Sequence, residues 1–293
     1  MMIAVIDIGG TEIKFGVVDP AKQEQLTKVG RLTTDTTAAN FSMLTRLQSV
    51  MHRLLAQYDI QGIAISTAGT VEPSTGEIIY ANTNIPHYKG TQLKIELERI
   101  YEIPCAVEND VNCALLGELT YGPLSHVQNA LMLTIGTGVG GALYLNSQIF
   151  QGHTFSAGEV GYSTLNGENI ESLISARALI TQAALLYPEQ EIDGYWIFNE
   201  AAQGNEKIVA LLDKFVERLV QVIMNYVSLI NPEVVILGGG IMEQTGFFNE
   251  RIQAAFGLYP NEFVRCQTEI HFASLGNRAG LLGAYRHYCK LYA

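Results

Sequence analysis

The chain has 293 residues, 48% of them hydrophobic and 16% charged, with a formal net charge of −11. That length accommodates one large domain or two lobes with separate cores, and the composition is that of an ordinary globular protein. The acidic balance argues against nucleic acid as a partner, and no 18-residue apolar stretch marks a membrane span. No basic leader precedes the first strand pattern, and Cys105, Cys113, Cys266 and Cys289 show no CxxC spacing, so reduced thiols in a cytoplasmic protein are expected.

Residues 3–8 and 13–19 read as strands joined by the turn Asp7-Ile8-Gly9-Gly10-Thr11. Its glycines let backbone N–H groups approach an anion closely, Thr11 adds a hydroxyl and Lys14 a cation. Asp7 repels a phosphate unless a metal lies between them, so the turn suggests a Mg²⁺–nucleotide phosphate site, with a plain hairpin turn as the alternative. Phe41, Leu44, Leu47, Val50, Met51, Leu54 and Leu55 recur at helical spacing and predict a helix around 38–57. A strand at 62–66, a helix at about 90–100 and a strand from Pro104 to Glu108 follow. Asn109-Asp110-Val111-Asn112 reads as the cap of a helix running through Glu118. Asn109 and Asp110 thereby fall at a strand end and helix start, where α/β folds commonly present functional side chains.

The second half opens with a strand pair over 130–151 around Gly136-Thr137-Gly138-Val139-Gly140-Gly141, repeating the apolar run–Gly/Thr turn–apolar run of the N-terminus. Two such units suggest a duplication into two lobes facing one nucleotide. Gly136-x-Gly138-x-x-Gly141 runs into a strand pattern, which disfavours a dinucleotide site, and no Walker pattern is present. A Gly-rich connection extends to about 167, with helices over 171–186 and from about 195 to 230. Pro232 ends the last of these before a 233–237 strand and the turn Gly238-Gly239-Gly240. A strand near 268–273 and a final helix from about Ala279 complete the pattern.

Five motifs in order resemble the ROK family of sugar kinases: Asp-Ile-Gly-Gly-Thr, Glu108-Asn109-Asp110, Gly136 to Gly141, Ala157-Gly158-Glu159-Val160-Gly161, and Gly238-Gly239-Gly240. The resemblance spans nearly the whole chain, to Gly276-Asn277-Arg278-Ala279-Gly280 and beyond. It implies an α/β, two-lobed, duplicated ribonuclease-H-like fold of the actin/hexokinase/heat-shock-70 superfamily. The expected lobes are 1–112, joined by the C-terminal helix at about 281–293, and 113–280. It also implies ATP as donor, Mg²⁺ arriving with the ATP and reached by Asp7 through water, and a homodimer.

Residue by residue, the resemblance makes Asp110 the catalytic base that accepts the proton of the attacking sugar hydroxyl; taken alone, Asp110 reads equally as a simple N-cap. Asn109 offers a donor and an acceptor to a sugar hydroxyl. Asn84, in Asn82-Thr83-Asn84-Ile85-Pro86, resembles the family's sugar loop, or is a turn asparagine. Gly69 falls where the family has Pro-Gly beside the sugar. Glu159 is the family's grip on vicinal hydroxyls, and Glu171 aligns with a second sugar-binding Glu. Gly9, Gly10, Thr11 and Lys14 join Asp7 at the phosphates, Thr137 and Gly138 contact the β- and γ-phosphates, and Gly238, Gly239 and Gly240 approach the adenosine.

One departure stands out. Many ROK proteins carry a His after Gly-Glu-x-Gly and then a Cys-rich zinc site, but here the His position is Tyr162 and residues 163–177 hold neither Cys nor His. No zinc site is expected, since such a site needs about four N/S ligands. The combination is closest to zinc-free β-glucoside kinases. The expected activity is therefore ATP-dependent phosphorylation of the 6-OH of glucose or of the glucose unit of a β-glucoside such as cellobiose. Glucokinase and N-acetylmannosamine kinase are the alternatives. A sugar-sensing repressor of the same family would carry a helix-turn-helix domain before a motif that here begins at residue 7, and a silent sugar-binding protein would have lost Asp7 or Asp110.

Overall fold

A computed structural model describes residues 2–22, 25–37, 41–81 and 85–292. The described chain divides into two compact units, one of residues 1–126, 152–156 and 274–293, the other of residues 127–151 and 157–273.

The first unit contains β1 (Met2–Ile8), β2 (Glu12–Asp19), β3 (Gln25–Leu26), β4 (Gly30–Thr33), α1 (Met43–Leu55), β5 (Ile60–Thr67), β6 (Thr70–Glu72), β7 (Glu77–Tyr80), α2 (Leu93–Tyr101), β8 (Cys105–Asn109) and α3 (Asp110–Tyr121). The second contains β9 (Ala130–Ile135), β10 (Val139–Leu145), β11 (Gln148–Ile149), β12 (Thr164–Leu165), β13 (Glu168–Asn169), α4 (Ile170–Ile174), α5 (Ala176–Leu186), α6 (Gly194–Ala202), α7 (Glu206–Ile230), β14 (Val234–Gly238), α8 (Thr245–Gly257), α9 (Glu262–Arg265) and β15 (Glu269–Phe272). The chain then returns to the first unit as α10 (Ala279–Tyr292).

The two main sheets share one topology. The first runs β3-β2-β1-β5-β8, with β4 also on β2, and the second runs β11-β10-β9-β14-β15. In each, an antiparallel hairpin (β1 with β2, β9 with β10) carries the glycine turn, and two parallel strands extend the sheet beyond the hairpin's first strand. The repeated sequence motif is thus a repeated sheet.

Both faces of the first sheet are covered, as near-continuous apolar strands require. Ala4, Ile6 and Ile8 of β1 point into a core with Leu47, Val50 and Met51 of α1 and Leu93 and Leu97 of α2. The alternate residues Ile3 and Val5 meet Cys113 of α3 and Leu281, Ala284 and Tyr285 of α10. Because α3 packs on α10 within the first unit, the division of the chain falls after α3, at 126/127, and not at the expected 112/113. Glu118 of α3 secures the returning segment: its buried carboxylate accepts Ser274 N at 2.9 Å, Ser274 Oγ at 2.8 Å and Leu275 N at 2.8 Å.

In the second unit, Leu131, Leu133 and Ile135 of β9 pack with Leu212, Phe215, Leu219 and Ile223 of α7 and Phe248, Ile252 and Phe256 of α8. The expected 171–186 helix is two helices. Ser175 closes α4 in extended conformation and caps α5, accepting Ala178 N at 3.0 Å. Among the described residues no helix is long and apolar enough to cross a membrane, and all four cysteines are free.

Candidate functional site

The Asp7–Thr11 turn is fastened from below by a residue the motif does not contain. Thr34, fully buried, donates its hydroxyl to Gly9 O at 2.7 Å and its N–H to Thr11 O at 2.9 Å. The carbonyls of Gly9 and Thr11 are thereby occupied, and Gly9 N donates to Glu12 O at 3.0 Å, which leaves the N–H groups of Gly10 and Thr11 to serve an anion. Ser66, at the parallel position on β5, donates to Asp7 Oδ1 at 2.7 Å. Lys14, opposite Asp7 on β2, lies 3.8 Å from Asp7 Oδ2 and donates to Asn277 Oδ1 at 2.8 Å. Burial raises the Asp7 carboxyl above its usual range, partly offset by Ser66 and Lys14. A bound cation would favour the ionised form, so Asp7 fits a metal ligand acting directly or through water.

Asn109 ends β8 and Asp110 opens α3. Asn109 Oδ1 accepts Val111 N at 2.9 Å and Asn112 N at 3.1 Å, an N-cap that satisfies two orphan donors of the helix. Its amide Nδ2 donates to Gly69 O at 3.0 Å and to Asp110 Oδ1 at 3.1 Å. Gly69 adopts φ +97°, a conformation that a side chain would strain, and a Cβ there would crowd Tyr80 O. The structure thus brings Gly69, Asn109 and Asp110 together. Tyr88, buried with its hydroxyl on Thr67, has its ionisation suppressed first by burial and also by Asp110, which places that carboxylate nearby. Asn84 lies outside the described residues.

In the second unit the Gly136–Gly141 turn joins β9 to β10, with Gly136 N donating to Gly138 O at 2.9 Å. Glu171, at the first turn of α4, accepts Val139 N at 3.1 Å and lies so close over Gly138 that a Cβ there would make its carboxylate shift. Glu159 is half-buried, and its carboxyl is pushed up by burial and then by the charge of Glu171. The two carboxylates therefore share one neighbourhood. Tyr162 ends a short 3-10 turn after Glu159 and is 61% exposed. A cavity of about 550 Å³ opens beside the Gly136–Gly141 turn, with Gly136, Thr137 and Gly240 on its lining and Leu179, Ile180, Ile197, Phe198 and Ile241 as apolar walls. A flat apolar ring linked to phosphates fits such a space. Gly238 ends β14 and Gly239 turns the chain with φ +90° toward Gly240.

The supporting contacts of Ser66, Thr34, Asn277 and Glu118 escaped the sequence analysis because each joins residues far apart in the chain. Among the described residues no group of three or more His, Cys, Asp or Glu could hold a metal ion.

The duplicated sheet, each copy with a glycine turn on its hairpin, defines the two-lobed α/β class of actin and hexokinase. The chain belongs to the ROK family, whose model matches residues 3–288. It is 34% identical to a β-glucoside kinase of Listeria innocua over 99% of this chain and 98% of that one. Among solved structures, a ROK family protein from Streptococcus pneumoniae in complex with sucrose superposes with a TM-score of 0.86, 29% identity and 99% coverage of both chains. A ROK family glucokinase from Streptomyces griseus in complex with glucose and AMPPNP gives 0.82 at 25% identity, covering 97% of this chain and 98% of that one.

Proposed function

We propose that the protein is an ATP-dependent kinase that phosphorylates the 6-OH of a glucose unit and accepts β-glucosides such as cellobiose. The observation that carries the reading is Asp110, held at the first turn of α3 by the Asn109 amide, which is itself anchored on Gly69 O. A base so fixed suits phosphoryl transfer, in which catalysis is mostly positioning and charge stabilisation.

Asp110 accepts the proton of the sugar hydroxyl as its oxygen bonds to the γ-phosphorus and the bond to the β-phosphate oxygen breaks. In the first unit, Gly10 and Thr11 offer donors to phosphate oxygens, Gly9, whose own N–H closes the turn on Glu12 O at 3.0 Å, keeps their approach free of a side chain, and Lys14 offers a charge. Asp7, through water, would hold the Mg²⁺ that arrives with ATP; that ion neutralises charge on the phosphate oxygens. In the second unit the apolar cavity takes the adenine, Thr137 and Gly138 face the β- and γ-phosphates, and Gly238 to Gly240 lie along the nucleoside. To the sugar we assign Gly69, Asn84 and Asn109 together with Glu159, Tyr162 and Glu171. The β-glucoside preference draws support from the 34% identity to the Listeria innocua enzyme and from the short segment after Tyr162, which has no Cys or His to build a zinc-bound wall.

Initial rates of ADP formation with glucose, cellobiose, gentiobiose, N-acetylmannosamine and 6-deoxyglucose test the reading. Cellobiose or gentiobiose should turn over with kcat/KM at least comparable to glucose, and 6-deoxyglucose should give no product, because a site that pairs a hydroxyl penalises its loss while bulk at an open mouth costs little. Glucose turnover with no β-glucoside product would move the assignment to a glucokinase. No turnover with any sugar would reject a kinase.

A further inference from the structure

We propose that Glu108 is a positioning residue for the Asp110 base, setting the strand–helix junction from inside the protein. The inference rests on the reading of Asp110 given above.

Glu108 is 2% exposed, on β8 one residue before the junction. A single oxygen, Oε1, accepts Asn109 N at 2.7 Å and Asn112 Nδ2 at 3.0 Å. These two contacts hold both ends of the turn that carries Asp110: the last strand residue, Asn109, and the third residue of the helix, Asn112. Asn109, so held, passes the constraint outward, since its Nδ2 donates to Asp110 Oδ1 at 3.1 Å while its Oδ1 caps the helix. The route from Glu108 to the base is thus two hydrogen bonds long. Oε2 lies 3.9 Å from Nδ1 of His287, on α10.

Burying a carboxylate is costly, and a neutral or apolar residue would close a strand–helix junction at lower cost if packing alone mattered. A carboxylate oxygen, however, makes shorter and stiffer hydrogen bonds than a neutral acceptor. Stiffness is what a base requires, because a catalytic group displaced by about 1 Å loses roughly 10²-fold in rate. The geometry of Asn109 as a helix cap needs no such support, for its own Oδ1 supplies it.

The test compares Glu108→Leu, Glu108→Gln, Asn112→Ala and Asp110→Asn for kcat, sugar KM and thermal midpoint. Glu108→Leu, similar in size but without an acceptor, should lower kcat by about 10²-fold with sugar KM within threefold. Glu108→Gln keeps an Oε1 that can accept both bonds and should restore kcat to within about tenfold of the parent. Asn112→Ala removes one of the two bonds and should lower kcat by several-fold, and it decides the matter if Glu108→Leu does not fold. A folded Glu108→Leu with kcat within threefold of the parent would overturn the inference, as would equal losses in Glu108→Leu and Glu108→Gln that follow the thermal midpoint. Parent-like turnover of Asp110→Asn would instead reject Asp110 as the base, whatever the Glu108 variants do.

Discussion

Gly283 of α10 packs directly on the carbonyl oxygen of Cys113 in α3, with no room between them for a methyl group. Gly117 makes the reciprocal approach to Ala279 O, so the two helices cross with backbone against backbone. Gly283→Ala must force them apart, and overpacking of this kind costs about 1–3 kcal/mol or more. The urea midpoint should fall accordingly. Gly246→Ala, in the first turn of α8 with nothing within 4 Å, should instead match the parent or exceed it by up to about 0.5 kcal/mol.

Asp110→Asn should leave the fold and sugar affinity in place, because Asn109 still caps α3 and still reaches Gly69. Turnover should drop by about 10²–10⁴-fold, the usual worth of a positioned base. Steady-state kinetics with saturating ATP read it directly, and a kcat within threefold of the parent would remove Asp110 from the mechanism.

The carboxyl of Glu159 is raised by burial and by its neighbour Glu171. Glu171→Gln removes the like charge, so the carboxyl of Glu159 ionises at lower pH in the variant. If the ionised Glu159 accepts a sugar hydroxyl, the acid limb of kcat/KM for the sugar should move to lower pH, while the plateau falls through the lost contact. Rate profiles between pH 4 and 8 would show the shift, and an unmoved acid limb would assign it to another group.

His287 is buried on α10, its Nε2 lacks a hydrogen-bond partner among the described residues, and its pKa is held down at about 4 by burial and then by Lys290 and Lys94. The unfolded chain takes up this proton near pH 6.5, the folded protein only near pH 4. Stability from this residue is therefore complete above about pH 6.5 and lost as pH falls toward 4, amounting to about 3 kcal/mol across the window. His287→Phe should flatten that part of the stability–pH curve relative to the parent. Parallel urea-midpoint curves for the two proteins would refute it.

The purified protein should carry no stoichiometric zinc, since residues 163–177 contain no thiol or imidazole. Elemental analysis after dialysis checks this, and about one zinc per chain would mean that ligands come from elsewhere.

The parts of this molecule that repeat were legible in the sequence. The glycine turns, the Asn109 cap and the long apolar stripe of α7 all depend on residues close together in the chain, and each local rule agrees with the fold. Helix α8 was not foreseen. Its buried Phe248, Ile252 and Phe256 do fall at helical spacing, but Gly246 stands in its first turn and no side chain caps it. The break at Ser175 could have been found, because a serine before Ala-Arg-Ala is an N-cap signal inside an otherwise continuous pattern. The supports of the candidate site could not. Ser66 stands 59 positions from Asp7, and Asn277 stands 263 from Lys14, so only the fold makes them neighbours.

The Glu118 clamp joins residues 156 positions apart, and this separation sets an order of events during synthesis. The sheet face bearing Ile3, Val5, Ala64 and Ala106 precedes the second unit in the chain, yet its cover of Leu281, Ala284, Tyr285 and Tyr288 follows that unit. At ordinary rates of translation that interval is on the order of ten seconds. During it, an apolar sheet face waits in water while the whole second unit is produced and can fold. The first unit is thus begun before the second and completed after it.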